Sequence, residues 1–152
     1  METPSEKNPM EKYALEGPSP QEITFGMIKP TGVSRGLIGE ILRRIERKGL
    51  KLQHLEMRYI TEWEIREHYR EYVDTDKIEY LAKYMSSGPV VLMIIQGPEA
   101  IKRYRQMAGR VSDPGTIRGD FALEQKQNLV HSSDSPEAVD RELEIFFPGR
   151  FN

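Results

Sequence analysis

One histidine, His131, lies in the segment NLVHSSDSPE, between strand-like residues and a polar run typical of a helix start. Ser135 is suited to cap that helix, and Pro136 is suited to its first position, where a missing N–H costs nothing. The first amides of a helix lack internal partners and carry partial positive charge, so this junction could hold a phosphate. Most histidines are structural, so a nucleophilic role for His131 depends on what surrounds it.

Phosphoryl transfer to a histidine would need cations that converge on it from several elements, because the phosphate oxygens must be neutralised. Lys29 ends the first predicted strand, Arg105 lies on a predicted helix, and Arg118 lies in a Gly-Thr-Ile-Arg-Gly loop. Glu142 lies about two turns into the last helix, on the face of its cap, where it could orient the imidazole. Each residue alone is more often a solvated charge, but together they predict an anion site.

The composition restricts the classes of protein to which the chain can belong. Its 152 residues, 38% of them hydrophobic, suit one domain with one core. A net charge of -2 gives no strong signal for nucleic-acid binding, and the absence of cysteine excludes thiol chemistry and disulfides. No apolar run is long enough for a membrane span and no leader is indicated, so we predict a soluble, cytoplasmic protein without a membrane partner.

The elements that must position these residues follow from apolar periodicity. Strands are predicted at residues 22–28, 50–60 with a bulge near His54, 89–97 and 129–131. Helices are predicted at residues 36–49, 61–72 behind the capping box of Thr61 and Glu64, 76–85, 98–109 and 136–147.

Two strand-helix-strand passes with helices on one face favour an α+β fold: a ferredoxin-like sandwich, or split βαβ, with a four-stranded antiparallel sheet. Residues 1–22 begin with a proline-rich stretch and are predicted to be a flexible or docked N-terminal arm. Residues 23–152 are predicted to form the single domain.

The segment NLVHSSDS resembles the N-x-x-H-G-S-D-S signature of the nucleoside diphosphate kinases. Four further segments resemble successive blocks of that family in its order: MIKPTGVSRGLIGEI, REHY, KYMSSGPVV and PGTIRGDF. The resemblance implies a ferredoxin-like, nucleoside diphosphate kinase-like domain. Such a domain moves the γ-phosphate of a nucleoside triphosphate, typically ATP, to a nucleoside diphosphate through a phosphohistidine at His131, with ping-pong kinetics. It also implies a homo-oligomer, and Mg2+ that is carried by the nucleotide phosphates without a dedicated protein metal site.

The same resemblance implies a role for each candidate residue. The implied catalytic residues are His131, Lys29, Glu142 and Ser133. The implied nucleotide-binding residues are Lys29, Tyr69, Lys77, Arg105, Val111, Arg118 and Asn128. His131 would accept the phosphate on one ring nitrogen while a backbone bond holds the other, and Ser133 and Glu142 would support the ring. Tyr69 would pack beside Lys29, and Asn128 would bond the sugar.

Several positions depart from the family pattern. Lys77 stands in place of the phenylalanine that stacks on the base, and Val111 stands in place of a threonine that contacts phosphate. Ser132 follows His131 where the family has glycine, and the loop between residues 109 and 114 is shortened. These departures keep open an alternative, a nucleotide-binding regulatory homologue of the same fold with little or no turnover.

A nucleic-acid-binding module is a third possibility, which the balanced charge disfavours. Its only support is a basic helix stripe formed by Arg43, Arg44, Arg47 and Lys48.

Overall fold

The computed structural model describes residues 10–17 and 20–151 of the chain. Residues 1–9, 18 and 19 of the predicted arm lie outside this part. The remainder of the arm packs on the domain, since Met10 and Tyr13 are buried and the Tyr13 hydroxyl donates a hydrogen bond to Asp140. The side-chain amide of Gln96 donates to the Glu16 carbonyl over 2.8 Å, which ties the segment to the third strand.

A four-stranded antiparallel sheet forms the centre of the molecule, as predicted. Its strands are β1 (Glu22–Ile28), β2 (Lys51–Arg58), β3 (Val90–Gly97) and β4 (Val130–Ser132), in the order β2-β3-β1-β4. The predicted bulge is confirmed, because the pairing of β2 with β3 shifts register between Leu52 and His54. The central strands β3 and β1 hold the sheet together, and β2 and β4 are its edges.

Seven α-helices surround the sheet in the part of the chain that the structure describes. They are α1 (Pro30–Ser34), α2 (Ile38–Arg47), α3 (Glu62–His68), α4 (Lys77–Met85), α5 (Ala100–Ala108), α6 (Ile117–Phe121) and α7 (Pro136–Phe146). None of the described helices combines the length and the apolar character that a bilayer crossing requires.

Local capping explains where several helices begin. The predicted capping box of α3 is present, with Glu64 N–H donating to the Thr61 hydroxyl over 3.1 Å and Thr61 N–H donating to the Glu64 carboxylate over 2.8 Å. Two short helices were not predicted: α1, and α6 in the segment that was predicted to be a loop. Pro30 opens α1, and the Thr116 hydroxyl caps α6 by accepting from Gly119 N–H.

Helices cover both faces of the sheet, so the prediction of helices on one face was wrong. All eight residues of β3 are buried, which requires an apolar layer on each side. Leu92 and Ile94 of β3 belong to a cluster with residues of α3, α4 and α7. Val91, Met93 and Ile95 belong to a second cluster with residues of α2, α5 and α6.

Candidate active site

His131 is the middle residue of β4, where it pairs with Met27 of the central strand β1. The chain leaves β4 and enters α7 within a few residues, and the Ser135 hydroxyl caps α7 by accepting from Ala138 N–H over 3.1 Å. The predicted strand-to-helix junction is therefore present. A short strand held by its neighbour fixes the backbone of His131, and the following helix brings further side chains back over it.

The imidazole of His131 is held by a carboxylate from α7. Its Nε2 lies 2.7 Å and 2.9 Å from the two carboxylate oxygens of Glu142, a residue that is only 1% exposed. The Ser133 hydroxyl donates to the same carboxylate over 2.9 Å. The predicted backbone bond to the ring was wrong, because the second turn of α7 places Glu142 directly against Nε2. The support from Ser133 and Glu142 has the geometry that the resemblance implied.

This contact decides which nitrogen is nucleophilic. An ionised Glu142 accepts a hydrogen bond from Nε2–H, so the neutral ring keeps its proton on Nε2 and its lone pair on Nδ1. Burial, together with the nearby cations Lys29, Arg118 and Arg105, holds the pKa of His131 well below its ordinary value. The ring is therefore neutral at neutral pH, with Nδ1 able to attack an electrophile.

Lys29 and Asn128 are joined at one side of the site. The Lys29 ammonium donates to the Asn128 side-chain oxygen over 2.8 Å. Burial and the nearby guanidinium of Arg118 lower the pKa of Lys29 to about 8. Lys29 therefore carries its charge at neutral pH, in a setting where a bound anion would relieve the unfavourable burial of that charge.

Arg105 and Arg118 are fixed by backbone carbonyls. Arg105 Nη1 donates to Ser132 O over 3.2 Å, and Arg118 donates to Gly109 O over 2.9 Å and to Val130 O over 2.8 Å. Within the described residues neither arginine forms an ion pair with a carboxylate. Both guanidinium groups are thus positioned while their charge stays available for an anion.

His131 opens onto a cavity of about 260 Å³, called here the histidine cavity. Its lining includes His131, Glu142, Arg105, Arg118, Tyr69 and a second histidine, His68. Arg105, Arg118, the predicted nucleophile and the supporting carboxylate therefore line one cavity. Lys29 lies outside this lining but close enough to lower the pKa of His131. An anion that enters this cavity meets positive charge from three arginines, Arg105, Arg118 and Arg141, and the nucleophilic face of a neutral imidazole.

Sequence analysis missed His68, which lies in the quoted segment REHY directly before Tyr69. Its ring stands at 90° to that of His131, with the ring centroids 4.5 Å apart. Nδ1 of His68 is buried and has no hydrogen-bond partner among the residues that the structure describes. The family resemblance of REHY was the available signal, since neither residue spacing nor charge distinguishes His68 from a core histidine.

Four predicted nucleotide contacts do not line the histidine cavity: Lys29, Lys77, Val111 and Asn128. The Lys77 ammonium lies 5.2 Å above the ring of Tyr72, which itself belongs to the cavity wall. Val111 packs against the apolar cluster under the second face of the sheet. Ser132 adopts no left-handed backbone conformation, so the chain accommodates serine at this position without the freedom of glycine.

The fold and the cavity together are those of a class of protein, the phosphotransferases. The model of the nucleoside diphosphate kinase family matches residues 22–151. A nucleoside diphosphate kinase of Nocardia farcinica is 50% identical over 132 residues, which cover 84% of this chain and 95% of the relative. One of Mycolicibacterium smegmatis is 49% identical over 133 residues, covering 84% and 96%.

Solved structures agree with this assignment. A nucleoside diphosphate kinase family protein from Babesia bovis matches with a TM-score of 0.79 and 45% identity, covering 83% of this chain and 88% of that one. A halophilic nucleoside diphosphate kinase from Halobacterium salinarum, solved in complex with CDP, matches with a TM-score of 0.80 and 41% identity, covering 84% and 88%. The protein belongs to the nucleoside diphosphate kinase family.

Proposed function

We propose that the protein is a nucleoside diphosphate kinase that transfers the γ-phosphate of a nucleoside triphosphate, typically ATP, to a nucleoside diphosphate through a phosphohistidine at Nδ1 of His131. The observation that carries this proposal is the contact of Nε2 with Glu142, which leaves Nδ1 as the nucleophile beside three cations. Nδ1 attacks the γ-phosphorus and the bond to the β-phosphate oxygen breaks, so the diphosphate leaves. An acceptor diphosphate then attacks the phosphohistidine and regenerates the free ring.

The cations have the roles that phosphoryl transfer needs. Lys29, Arg105 and Arg118 neutralise the phosphate oxygens as charge moves onto the leaving group. Asn128, which accepts a hydrogen bond from Lys29, is proposed to bond the sugar, and Tyr69 contributes to the cavity wall. Phosphate and sugar contacts are common to all nucleotides, which supports broad tolerance for the base.

Initial rates at several fixed donor concentrations test this mechanism. A covalent intermediate requires parallel lines in double-reciprocal plots against acceptor, because the first product leaves before the acceptor binds. Intersecting lines would contradict the phosphohistidine and favour direct transfer between two bound nucleotides.

Members of the family generally need a divalent cation. Among residues 10–17 and 20–151, one group of three side chains could hold a metal, formed by His68, His131 and Glu142. Mg2+ prefers oxygen ligands, so a set with two imidazoles does not suit it. We propose that Mg2+ enters as part of the nucleotide substrate, bound to its phosphates.

The alternative of a regulatory homologue without turnover is not favoured. The family relatives are named as kinases, and the departures at Lys77, Val111 and Ser132 leave the charged centre of the histidine cavity unchanged. The predicted cytoplasmic location stays a prediction.

The pH dependence of kcat/KM should follow the charge state of Lys29. Its pKa of about 8 lies below the ordinary value of a lysine, so the charged form dominates below pH 8 and is lost as the pH rises through it. We expect kcat/KM for ATP to fall about tenfold for each pH unit above this midpoint. In Lys29→Arg the guanidinium stays charged, so the residual kcat/KM of this variant should not fall above pH 8. A wild-type profile that stays flat up to pH 10 would contradict the role of the Lys29 charge.

The preference of the enzyme among nucleotide bases should depend on Lys77, which lies outside the histidine cavity and over the ring of Tyr72. An ammonium on a flexible chain replaces an aromatic face, so we expect purine acceptors to lose their stacking advantage over pyrimidines. In Lys77→Phe the ratio of kcat/KM for GDP to that for CDP should rise about threefold to tenfold. An unchanged ratio would show that Lys77 does not contact the base.

We also propose that the protein is a homo-oligomer assembled through β2. This edge strand and the start of α3 expose large apolar side chains, including Met57 at 60%, Tyr59 at 63% and Trp63 at 59%. An unpaired edge with an apolar stripe is a surface that another chain tends to cover. A second copy of this chain fits, because the same edge can pair with itself about a two-fold axis.

Light scattering should therefore give a mass of at least two chains. The double substitution Met57→Asp and Tyr59→Asp places charges in the interface and should shift the mass to that of one chain. Exposed Lys83→Asp on α4 serves as a control that adds charge elsewhere. A wild-type protein with the mass of one chain at micromolar concentration would refute this assembly.

A further inference from the structure

A second cavity lies beside the histidine cavity, between α5 and the turn at residues 109–113. Its volume is about 460 Å³, and we call it the arginine cavity. Arg105 and Arg118 line both cavities, so these two side chains form a shared wall. A ligand that contacts the two arginines from the histidine cavity therefore lies next to the arginine cavity.

The arginine cavity carries a surplus of positive charge. Lys102 and Arg110 join the two shared arginines in its lining, and the single carboxylate there is that of Asp113. That carboxylate accepts a hydrogen bond from the backbone N–H of Arg110 over 3.2 Å and makes no ion pair among the described residues. Arg103, on the same helix but outside the cavity, is by contrast paired with Glu99 over 3.2 Å.

The turn that forms one side of the arginine cavity is held by its own hydrogen bonds. Asp113 N–H donates to Arg110 O over 2.9 Å, and the Thr116 hydroxyl donates to Asp113 O over 2.7 Å. Gly109, which ends α5, has its carbonyl bonded by Arg118 over 2.9 Å. The helix end therefore presents a satisfied carbonyl, and the turn and Arg118 are held in place before any ligand binds.

We propose that the arginine cavity binds the distal part of a linear polyphosphate chain whose near end occupies the histidine cavity. The proposal rests on the proposed function only in that Arg105 and Arg118 are taken to contact phosphate. The residues of the histidine cavity are sufficient to neutralise a short phosphate chain. Each further phosphoryl group adds negative charge, which Lys102 and Arg110 can neutralise. Inorganic polyphosphate and the bridge of a dinucleoside polyphosphate share this chemistry.

Titration calorimetry with inorganic tetraphosphate and with pyrophosphate tests the proposal on the full chain. Tetraphosphate should bind the double variant Lys102→Ala and Arg110→Ala about tenfold more weakly than wild type, since two exposed charge contacts are lost. Pyrophosphate, which reaches only the histidine cavity, should bind both proteins with affinities within about twofold. The matched control, Lys83→Ala with Arg103→Ala, removes two cations outside the cavity and should bind tetraphosphate like wild type.

Diadenosine tetraphosphate distinguishes the two sources of the chain. If the double variant binds both tetraphosphates more weakly than wild type does, the cavity recognises the phosphate chain itself. If it binds only one of them more weakly, that compound represents the ligand class. Equal affinities of wild type and double variant for both compounds would overturn the proposal. Labelling of His131 from ATP, measured on the same proteins, separates the two questions, because an unlabelled wild-type protein would refute the proposed function while the binding result stands.

Discussion

Replacement of His131 by alanine should abolish phosphate transfer, with a fall in kcat of about 10⁵-fold or more. No other side chain described in the histidine cavity combines a neutral nucleophilic nitrogen with three neighbouring cations. A nucleotide should still bind the variant within about threefold of the wild-type affinity, because Lys29, Arg105 and Arg118 remain in place. Steady-state rates and nucleotide titration measure the two effects separately.

A matched histidine provides the control for this result. His54 lies on β2 and does not line the histidine cavity, so His54→Gln should keep wild-type rates within about twofold. Residual activity of His131→Ala above about 1% of wild type would show that another group accepts the phosphate.

Replacement of Glu142 by glutamine should lower kcat between about 10²-fold and 10⁴-fold, with little change in KM. The carboxylate accepts a hydrogen bond from Nε2–H, whereas the glutamine amide can donate a hydrogen bond to Nε2 and favour the tautomer with its proton on Nδ1. The nucleophilic lone pair would then be blocked. Glu142 acts through His131 and is a positioning residue, so a spectroscopic readout is needed beside the rate.

Nitrogen NMR of the His131 ring supplies that readout. The wild-type protein should carry its proton on Nε2, and Glu142→Gln should show a mixture or the reverse tautomer. Glu144→Gln is the control, because Glu144 is exposed on the same helix and its substitution should leave both rate and tautomer unchanged. A Glu142→Gln enzyme within threefold of the wild-type kcat would contradict the positioning role.

Local signals in the sequence were sufficient to predict most of the fold. The capping residues Thr61 and Ser135 are recognised by side-chain chemistry within one helical turn, and both caps are present. The apolar run of β3 indicated a central strand, but the same run required helices on both faces, and the prediction placed them on one. The short helices α1 and α6 are too brief to show apolar periodicity, so the sequence predicts no helix at either place.

The site was less predictable than the fold, because its members meet only through the tertiary structure. Charge and spacing suggested an anion site near His131, and the family resemblance supplied the role of each cation. Neither source showed that Glu142 would take the place of a backbone group at Nε2, since that depends on how α7 packs over β4. His68 was missed for the same reason, as its distance from His131 is set by the packing of α3.

Incubation of the purified protein with Mg2+ and γ-labelled ATP tests whether His131 carries the transferred phosphate. We expect a label that is labile to acid and stable to base, that is absent from His131→Ala, and that GDP or dCDP removes. A protein that binds nucleotide but never acquires this label would contradict transfer through a phosphohistidine at His131.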